Sequence, residues 1–450
     1  MVKIGLEIHG YINTHEKLFC TCKVGHGLKH ALPNTNICPI CTGQPGSKPL
    51  LPNKEAVKKA IQIALVLGCK VSKKMPWQRK HYSWPDLPKG FQSTMSGPHS
   101  IPNGISGNFM GIGITECHLE EDPAAWNPET GEIDYNRSGS PLIEIVTDPD
   151  FKSKEEVVDW LRNLLAVLDY IKVIDRNFGV KADVNISIGG GKRVEIKNVN
   201  SLRKISDAID VEVDRQEKDL PKIQQTRSYD EKAGTTKLMR TKDNAQDYRF
   251  ISDPDLPVLE ISEEWIEKLK KSLPETPQDK LKKLIEEYKI EKKYAEMLIK
   301  KLSLVELFEK TLEKIKPEIA IPWVTIELLS VANYNKLDVD EMKIDSNHFI
   351  ELLEAIQENK IIELKAKDIL RKWVPNSISP SEEINNSLTI SGEEVKNMAK
   401  EVILENSKAV EDYKSGKTWA INFLIGQIMK KSNKRADFKF AKKILEDLLK

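Results

Sequence analysis

Over Lys181-Ala182-Asp183-Val184-Asn185-Ile186-Ser187-Ile188 an apolar residue falls at every second position. Only a strand turns that period into one dry face and one polar face, because its side chains alternate across the sheet. After Gly189-Gly190-Gly191-Lys192 the alternation resumes as Arg193-Val194-Glu195-Ile196-Lys197. A hairpin is therefore predicted, with Ala182, Val184, Ile186 and Ile188 inward. Lys181, Asp183, Asn185, Ser187, Arg193, Glu195 and Lys197 share its outer face, either as the floor of a polar ligand site or as a wet surface with cross-strand ion pairs. The glycine connection is not a phosphate-binding loop, since the GxxxxGK[ST] spacing is absent and a strand follows rather than a helix.

Two other segments repeat the pattern. Gly5-Leu6-Glu7-Ile8-His9-Gly10 puts Glu7 and His9 on one face, and His118-Leu119-Glu120-Glu121-Asp122 aligns His118, Glu120 and Asp122. Carboxylates on facing strands repel unless a cation or ammonium group stands between them, so a divalent-cation site is one reading and a solvated strand face the other. Helical period is found at Val57, Ala60, Ile61, Ala64 and Leu65, ending at Gly68, and at Val157, Leu161, Leu164, Leu165 and Leu168 behind a Ser153 to Glu156 capping box.

At 450 residues the chain is expected to form two or three domains. Glycine and strand patterns concentrate before residue 260, after which charged helices dominate. Breaks fall after Leu256-Pro257, where Thr276-Pro277 opens a new helix, and at Val374-Pro375, ahead of a Ser391 to Glu394 capping box. A net charge of +1 gives no general attraction to polyanions, so nucleic acid would have to meet a local patch. The last fifty residues supply one, with eleven Lys or Arg against seven Asp or Glu and a cluster at Lys430, Lys431, Lys434, Arg435, Lys439, Lys442 and Lys443. No apolar run approaches a membrane span and no signal segment opens the chain, which predicts a cytoplasmic protein.

Cys20-x-Cys22 and Cys38-x-x-Cys41 have nearly zinc-ribbon spacing, and four thiolates leave zinc no open position, so a structural ion is expected; four unmetallated thiols are the alternative. Cys69 and Cys117 read as small buried hydrophobes. From Arg79 to Gly90, cations, stiffening prolines and the aromatic residues Tyr82 and Trp84 suit a phosphate, nucleobase or ribose, against the alternative of a basic solvated loop.

Together these segments closely resemble the family of B subunits of the tRNA-dependent aspartyl/glutamyl amidotransferases. The resemblance runs through the Glu7 and His9 strand, Asn36 to Gly46, Pro85-Asp86-Leu87-Pro88-Lys89-Gly90-Phe91-Gln92, and His118 to Asp122. It continues through Asp134 to Val146, Asp183 to Ser187, Glu195 to Ser201, Asp247-Tyr248-Arg249 and the final helices, and so covers almost the whole chain. It implies an α+β fold: a cradle-shaped catalytic domain with an antiparallel sheet over residues 1–265, a helical domain over 266–375 and an all-helical, tRNA-binding tail over 376–450. The implied enzyme is a carbon–nitrogen ligase with glutamine as amido donor. It phosphorylates the side-chain carboxylate of Glu on tRNA(Gln) or Asp on tRNA(Asn) with ATP and then amidates it. Ammonia is expected from an A subunit, an amidase, and a C subunit is expected to join the two.

By the same resemblance Glu7, His9, Glu120 and Glu121 hold Mg²⁺ near ATP, with Cys20, Cys22, Cys38 and Cys41 on a structural Zn²⁺. Since Glu121 alternates with Glu120, both can reach one ion only through a bulge or turn. Tyr82, Lys89, Arg137 and Lys197 are expected to neutralise the transferred phosphate, and Asp183 and Asn185, with Ser187 beside them, to orient the aminoacyl end. Lys181 departs from the arginine usual in the family, and Pro123-Ala124-Ala125-Trp126 from a glycine-like turn. The related archaeal E subunit carries an inserted domain for which this chain has no room. A noncatalytic tRNA-binding scaffold is disfavoured by the intact Glu7, His9, Glu120, Asp183 and Lys197.

Overall fold

A computed structural model describes residues 2–24, 31–175, 180–241, 248–433 and 435–449. It is α+β and divides into two units, Met1–Thr276 and Pro277–Lys450.

The first unit is built on a twelve-stranded sheet. Its path runs through Thr235–Thr241, Gln225–Asp230, Val194–Val199, Val180–Ile188, Val2–Tyr11, Pro141–Thr147, Ile112–Glu121, Gln92–Thr94, Gln78–His81 and Arg249–Ser252. Neighbours on this path are antiparallel except Val194–Val199 beside Gln225–Asp230. That parallel pair needs a long crossover, which the helix Leu202–Lys218 provides. The predicted hairpin forms, with Asn185 opposite Glu195 and Val184 opposite Ile196, and Gly189 and Gly190 turn the chain at positive φ.

Alternation gives the sheet its two faces. Ile4, Leu6, Ile8, Cys117, Leu119, Ile143, Ile145, Ala182, Val184 and Ile186 are buried on the dry side. They share a core with the apolar faces of Lys54–Val66, Lys154–Tyr170 and Leu202–Lys218. The helix starts follow from capping: Asn53 accepts from the Glu55 and Ala56 N–H groups, and Ser153 from that of Glu156. The Glu156 carboxylate, however, accepts from the Lys152 N–H at 2.8 Å, so the predicted box closes one residue earlier than expected. The Ser391 to Glu394 box forms with both arms.

The first unit runs past the predicted limit of 265. The helix Glu263–Lys271 drops Ile266 and Leu269 into the first core, and the separation comes at Thr276, just before Pro277 opens the next helix. In the second unit, helices from Pro277–Glu286 to Glu363–Arg371 bury Leu284, Val305, Phe308, Trp323 and Phe349. The helices Gly392–Glu405, Ala420–Lys431 and Phe438–Leu449 gather a separate cluster around Val395, Leu424, Ile428 and Leu445.

One contact ties helix to sheet without slack. A Cβ on Gly104 would lie 2.7 Å from the Ala64 Cβ and 2.8 Å from the Cys69 Cβ. Gly104→Ala is expected to lower the unfolding free energy by about 1–3 kcal/mol through overpacking, read from the urea midpoint. An unchanged midpoint would mean that the helix moves away freely.

Candidate functional site

The polar face is assembled by register. Glu7 stands opposite Asp183 on one side and Val146 on the other, and His9 stands opposite Lys181 and Glu144. Glu144 in turn faces His118, and Glu120 faces Leu142 and Thr94. Two groups result, each with ligand atoms within 4.8 Å of one another: His9, Glu120 and Glu144, and Glu7, Asp183 and Glu195.

In the first group His9 Nδ1 lies 3.8 Å from Glu120 and 3.9 Å from Glu144. His118 Nε2 stands beside it, 3.3 Å from Glu144 and 3.9 Å from Glu120, while its Nδ1 is 3.1 Å from Glu116. Burial opposes charge on both members of the central pair. Glu144, Glu116 and Glu120 nevertheless raise the His118 imidazole well above its ordinary value, and His118, then His9 and Lys80, hold the Glu144 carboxyl below the usual carboxylate range. In the second group the Lys197 ammonium contacts Asp183 and lies 2.5 Å from Glu195, while Asn185 Nδ2 donates to Glu7 at 3.0 Å. Burial works against the Lys197 charge, yet Asp183 and Glu195 push its pKa up. Burial raises the Glu7 carboxyl, with Lys197 opposing.

The structure thus divides the predicted cation set. His9 and Glu120 meet Glu144, Glu7 joins the neighbouring group, and Glu121 belongs to neither. No bulge intervenes between Glu120 and Glu121, because Leu142 and Pro141 pair with them in regular register. Glu121 therefore turns to the other face, where it accepts from the Ser93 N–H at 2.8 Å and from Lys89. Lys89 is thus paired with Glu121 rather than with a member of either group.

The other expected phosphate ligands lie around Asp122. Arg137 forks onto its carboxylate, Nε to Oδ2 at 2.9 Å and Nη2 to Oδ1 at 3.0 Å, and the Tyr11 hydroxyl donates to Oδ2 at 2.7 Å. Burial, then repulsion from Arg137, keeps the Lys181 ammonium below the ordinary lysine value. Burial, then the charges of Asp86 and Glu120, push the Tyr82 hydroxyl up, so it remains a neutral donor beside the first group. Ser187 stands opposite Lys3, on the sheet face shared by Asn185 and Asp183.

The cysteines form one cluster, with the sulfurs of Cys20, Cys22, Cys38 and Cys41 within 4.8 Å of one another. Four soft donors in that space suit a tetrahedral zinc ion. The buried Lys17 adds positive charge, its Nζ 3.5 Å from the Cys41 sulfur and 3.1 and 3.2 Å from the Asn36 and Tyr135 carbonyl oxygens. The hydrogen bond from Cys20 outweighs burial and, with the Cys38 N–H and Lys17, brings Cys41 down to about 4. This knuckle abuts both cation-bearing loops. A Cβ on Gly43 would lie 2.3 Å from the Pro88 carbonyl oxygen, and Ser138 Oγ donates to the Cys41 carbonyl at 2.8 Å.

In the tail, Lys431 is already paired, 3.0 Å from Glu401 and 2.6 Å from Glu405, and Lys442 lies 3.8 Å from Glu446. Arg435 donates to the Ser432 carbonyl at 3.2 Å. Lys430, Lys439 and Lys443 are exposed, with no ion pair among the described residues. Lys434 and Asp247 lie outside the described residues.

The residues that join the two groups without having been expected as metal ligands are Glu144, with His118 as its neighbouring cation, and Glu195, with Lys197 as its own. A signal for Glu144 exists: it is a lone carboxylate in the apolar run Leu142-Ile143-Glu144-Ile145, out of phase with its buried neighbours. Among the described residues no helix is long and apolar enough to cross a membrane.

A family profile described as the GatB/GatE catalytic domain matches residues 2–267, and one described as the GatB domain matches residues 306–449. The B subunit of the aspartyl/glutamyl-tRNA(Asn/Gln) amidotransferase of Methanopyrus kandleri is 43% identical over 462 aligned residues, covering 100% of this chain and 98% of the relative. The protein of that name from Methanocaldococcus jannaschii is 42% identical with the same coverage, and that from Methanothermobacter thermautotrophicus is 43% identical over 97% of both chains.

The pair of His118 and Glu144 has a pH signature. Because the Glu144 pKa is depressed by folding, its contribution to stability is present above the ordinary 4.5 and lost as pH falls through the depressed value. Because the His118 pKa is raised, its contribution is present below 6.5 and lost as pH climbs through the raised value. In metal-free urea titrations the deficit of His118→Gln against the wild type should be greatest between 4.5 and 6.5, at roughly 3–5 kcal/mol. A deficit that does not vary with pH would show that the pair is not charged.

Proposed function

The chain belongs to the GatB/GatE family, and from that premise we propose that it is the component of an aspartyl/glutamyl-tRNA amidotransferase that activates and amidates the misplaced amino acid. The observation that carries this reading is the gathering of His9, Glu120 and Glu144 beside Glu7, Asp183 and Glu195 on one sheet face. Full-length similarity to proteins named as B subunits, with a second match to a GatB domain, supports the B over the E subunit.

In the proposed reaction the side-chain carboxylate of Glu or Asp on tRNA attacks the terminal phosphorus of ATP, ADP leaves, and an acyl phosphate forms. Ammonia then adds to the acyl carbon, phosphate departs with the C–O bond's electrons, and a proton passes from the nitrogen to the departing phosphate to leave the amide. His9, Glu120 and Glu144 would hold Mg²⁺, which supplies neutralisation of phosphate charge. Lys197 contributes a fixed ammonium, because Asp183 and Glu195 keep it protonated and immobile. Asn185, anchored on Glu7, and Asp183 would orient the aminoacyl end. Tyr82 remains a hydroxyl donor at the edge. Arg137 meets an incoming phosphate only by sharing its hold on Asp122. An acyl phosphate hydrolyses readily, so these groups must also exclude water until ammonia arrives. The ammonia is assigned to a separate amidase, the A subunit, working on glutamine, with a C subunit joining the two.

Zn²⁺ on Cys20, Cys22, Cys38 and Cys41 would fasten the loops bearing Lys89 and Arg137. Cys38→Ser should abolish metal binding measured by elemental analysis and lower the melting temperature, whereas retained zinc would exclude this ligand set. Of the C-terminal lysine cluster, Lys430, Lys439 and Lys443 are exposed and make no ion pair among the described residues, so they can meet RNA phosphates. Replacing each with Ala should reduce the salt slope of tRNA binding by about one unit per lysine, and an unaltered slope would remove the tail from the RNA interface.

The deciding experiment measures ADP formation by the assembled complex with Mg²⁺, glutamine and either Glu-tRNA(Gln), Asp-tRNA(Asn) or uncharged tRNA. The wild type should need a mischarged tRNA for full ADP release. Glu144→Gln should lower turnover by roughly 10²–10³-fold with tRNA affinity nearly unchanged. Full turnover by this variant would overturn the cation assignment.

A further inference from the structure

Five aromatic rings form a continuous chain beside the carboxylate groups, in a protein only 6% aromatic. Phe250 meets Tyr248 at 6.0 Å between centroids, Tyr248 meets Tyr82 at 6.1 Å, Tyr82 meets Trp84 at 6.5 Å, and Trp84 meets Trp126 at 6.1 Å. Burial does not explain the outer members, since Trp84 is 49% and Trp126 36% exposed, while Trp77 is 2% exposed. From Tyr248 to Trp126 the planes cross at 87°, 83° and 67°, so the rings do not pile on one another, and separate faces are presented. Cations border the other end: Lys80 Nζ lies 4.8 Å from the Tyr248 ring centre, and Arg249 is exposed beside it. The strand that leads into Tyr82, Gln78–His81, pairs with Gln92–Thr94, whose Thr94 stands opposite Glu120 of the first carboxylate group.

We propose that this chain of rings is a stacking track for the unpaired nucleotides at the 3′ end of an RNA, with bases on Trp84 and Trp126 and backbone phosphates drawn toward Lys80 and Arg249. Aromatic rings accept any base face, and adjoining cations match a phosphate backbone, whereas an apolar protein surface would gain nothing from those charges. The inference rests on the amidotransferase reading and deepens it: the track would deliver the esterified amino acid to the carboxylate face.

The test uses the full complex with intact tRNA and with the same tRNA trimmed of its unpaired 3′ nucleotides. Trimming should weaken wild-type binding. Trp84→Ala and Trp126→Ala should each weaken binding of intact tRNA by about fivefold or more and leave binding of trimmed tRNA unchanged, while Trp84→Phe retains most of the affinity. Equal losses for both RNAs, no loss for either, or loss of the amidase from the complex would overturn the track, the last by assigning the patch to a protein partner. Amidation by the wild type is scored alongside. If mischarged tRNA is amidated and the variants still respond fully to trimming, the track fails and the enzyme reading stands; if no charged tRNA is amidated, the enzyme reading itself fails.

Discussion

Glu7, Glu116, Glu120, Glu144, Asp183 and Glu195 crowd one face of a sheet, and His118 and Lys197 stand in direct contact with most of them. Without those cations the arrangement would be resolved by carboxylates taking up protons, the cheaper course for buried like charges. With them, Glu144 stays ionised although it is largely enclosed, and the face keeps charge available for an incoming cation. The rest of the first unit follows from holding this face together. Its strands must be long and in register, and the opposite face must be dry enough for three helices to fix the strands in place.

The knuckle serves the same end from outside the sheet. Lys89 and Arg137 belong to loops that no strand controls, and loops carry little intrinsic order. Gly43 against Pro88, and Cys41 against Ser138, bring both loops onto one small cluster of sulfurs and a buried lysine. Sequence-distant cations are thereby tied to a common anchor.

Period-two alternation makes the strands and their polar faces readable, and capping residues mark the helices, because both signals are local. Register is not readable. Nothing in the segment around Glu144 says that it lies opposite both His9 and His118, so the cation set implied by the family resemblance holds Glu121 and not Glu144. The alternation rule itself separates Glu120 from Glu121, and the strand obeys it. Nor is it readable that Ile266 and Leu269 complete the first core, which only packing reveals. In the tail, composition counts Lys431 as free, whereas the fold pairs it with Glu401 and Glu405.

In the strands that carry the carboxylates, chemistry and packing are interleaved one residue at a time: Glu7 between Leu6 and Ile8, His118 between Cys117 and Leu119, Glu144 between Ile143 and Ile145. A single-residue insertion within any of them would turn carboxylates into the core and leucines into the water, destroying stability and site together. Lengthening the loops at the strand ends leaves this phase intact. Descendants of such a chain can therefore change what surrounds the carboxylate face far more readily than the face itself.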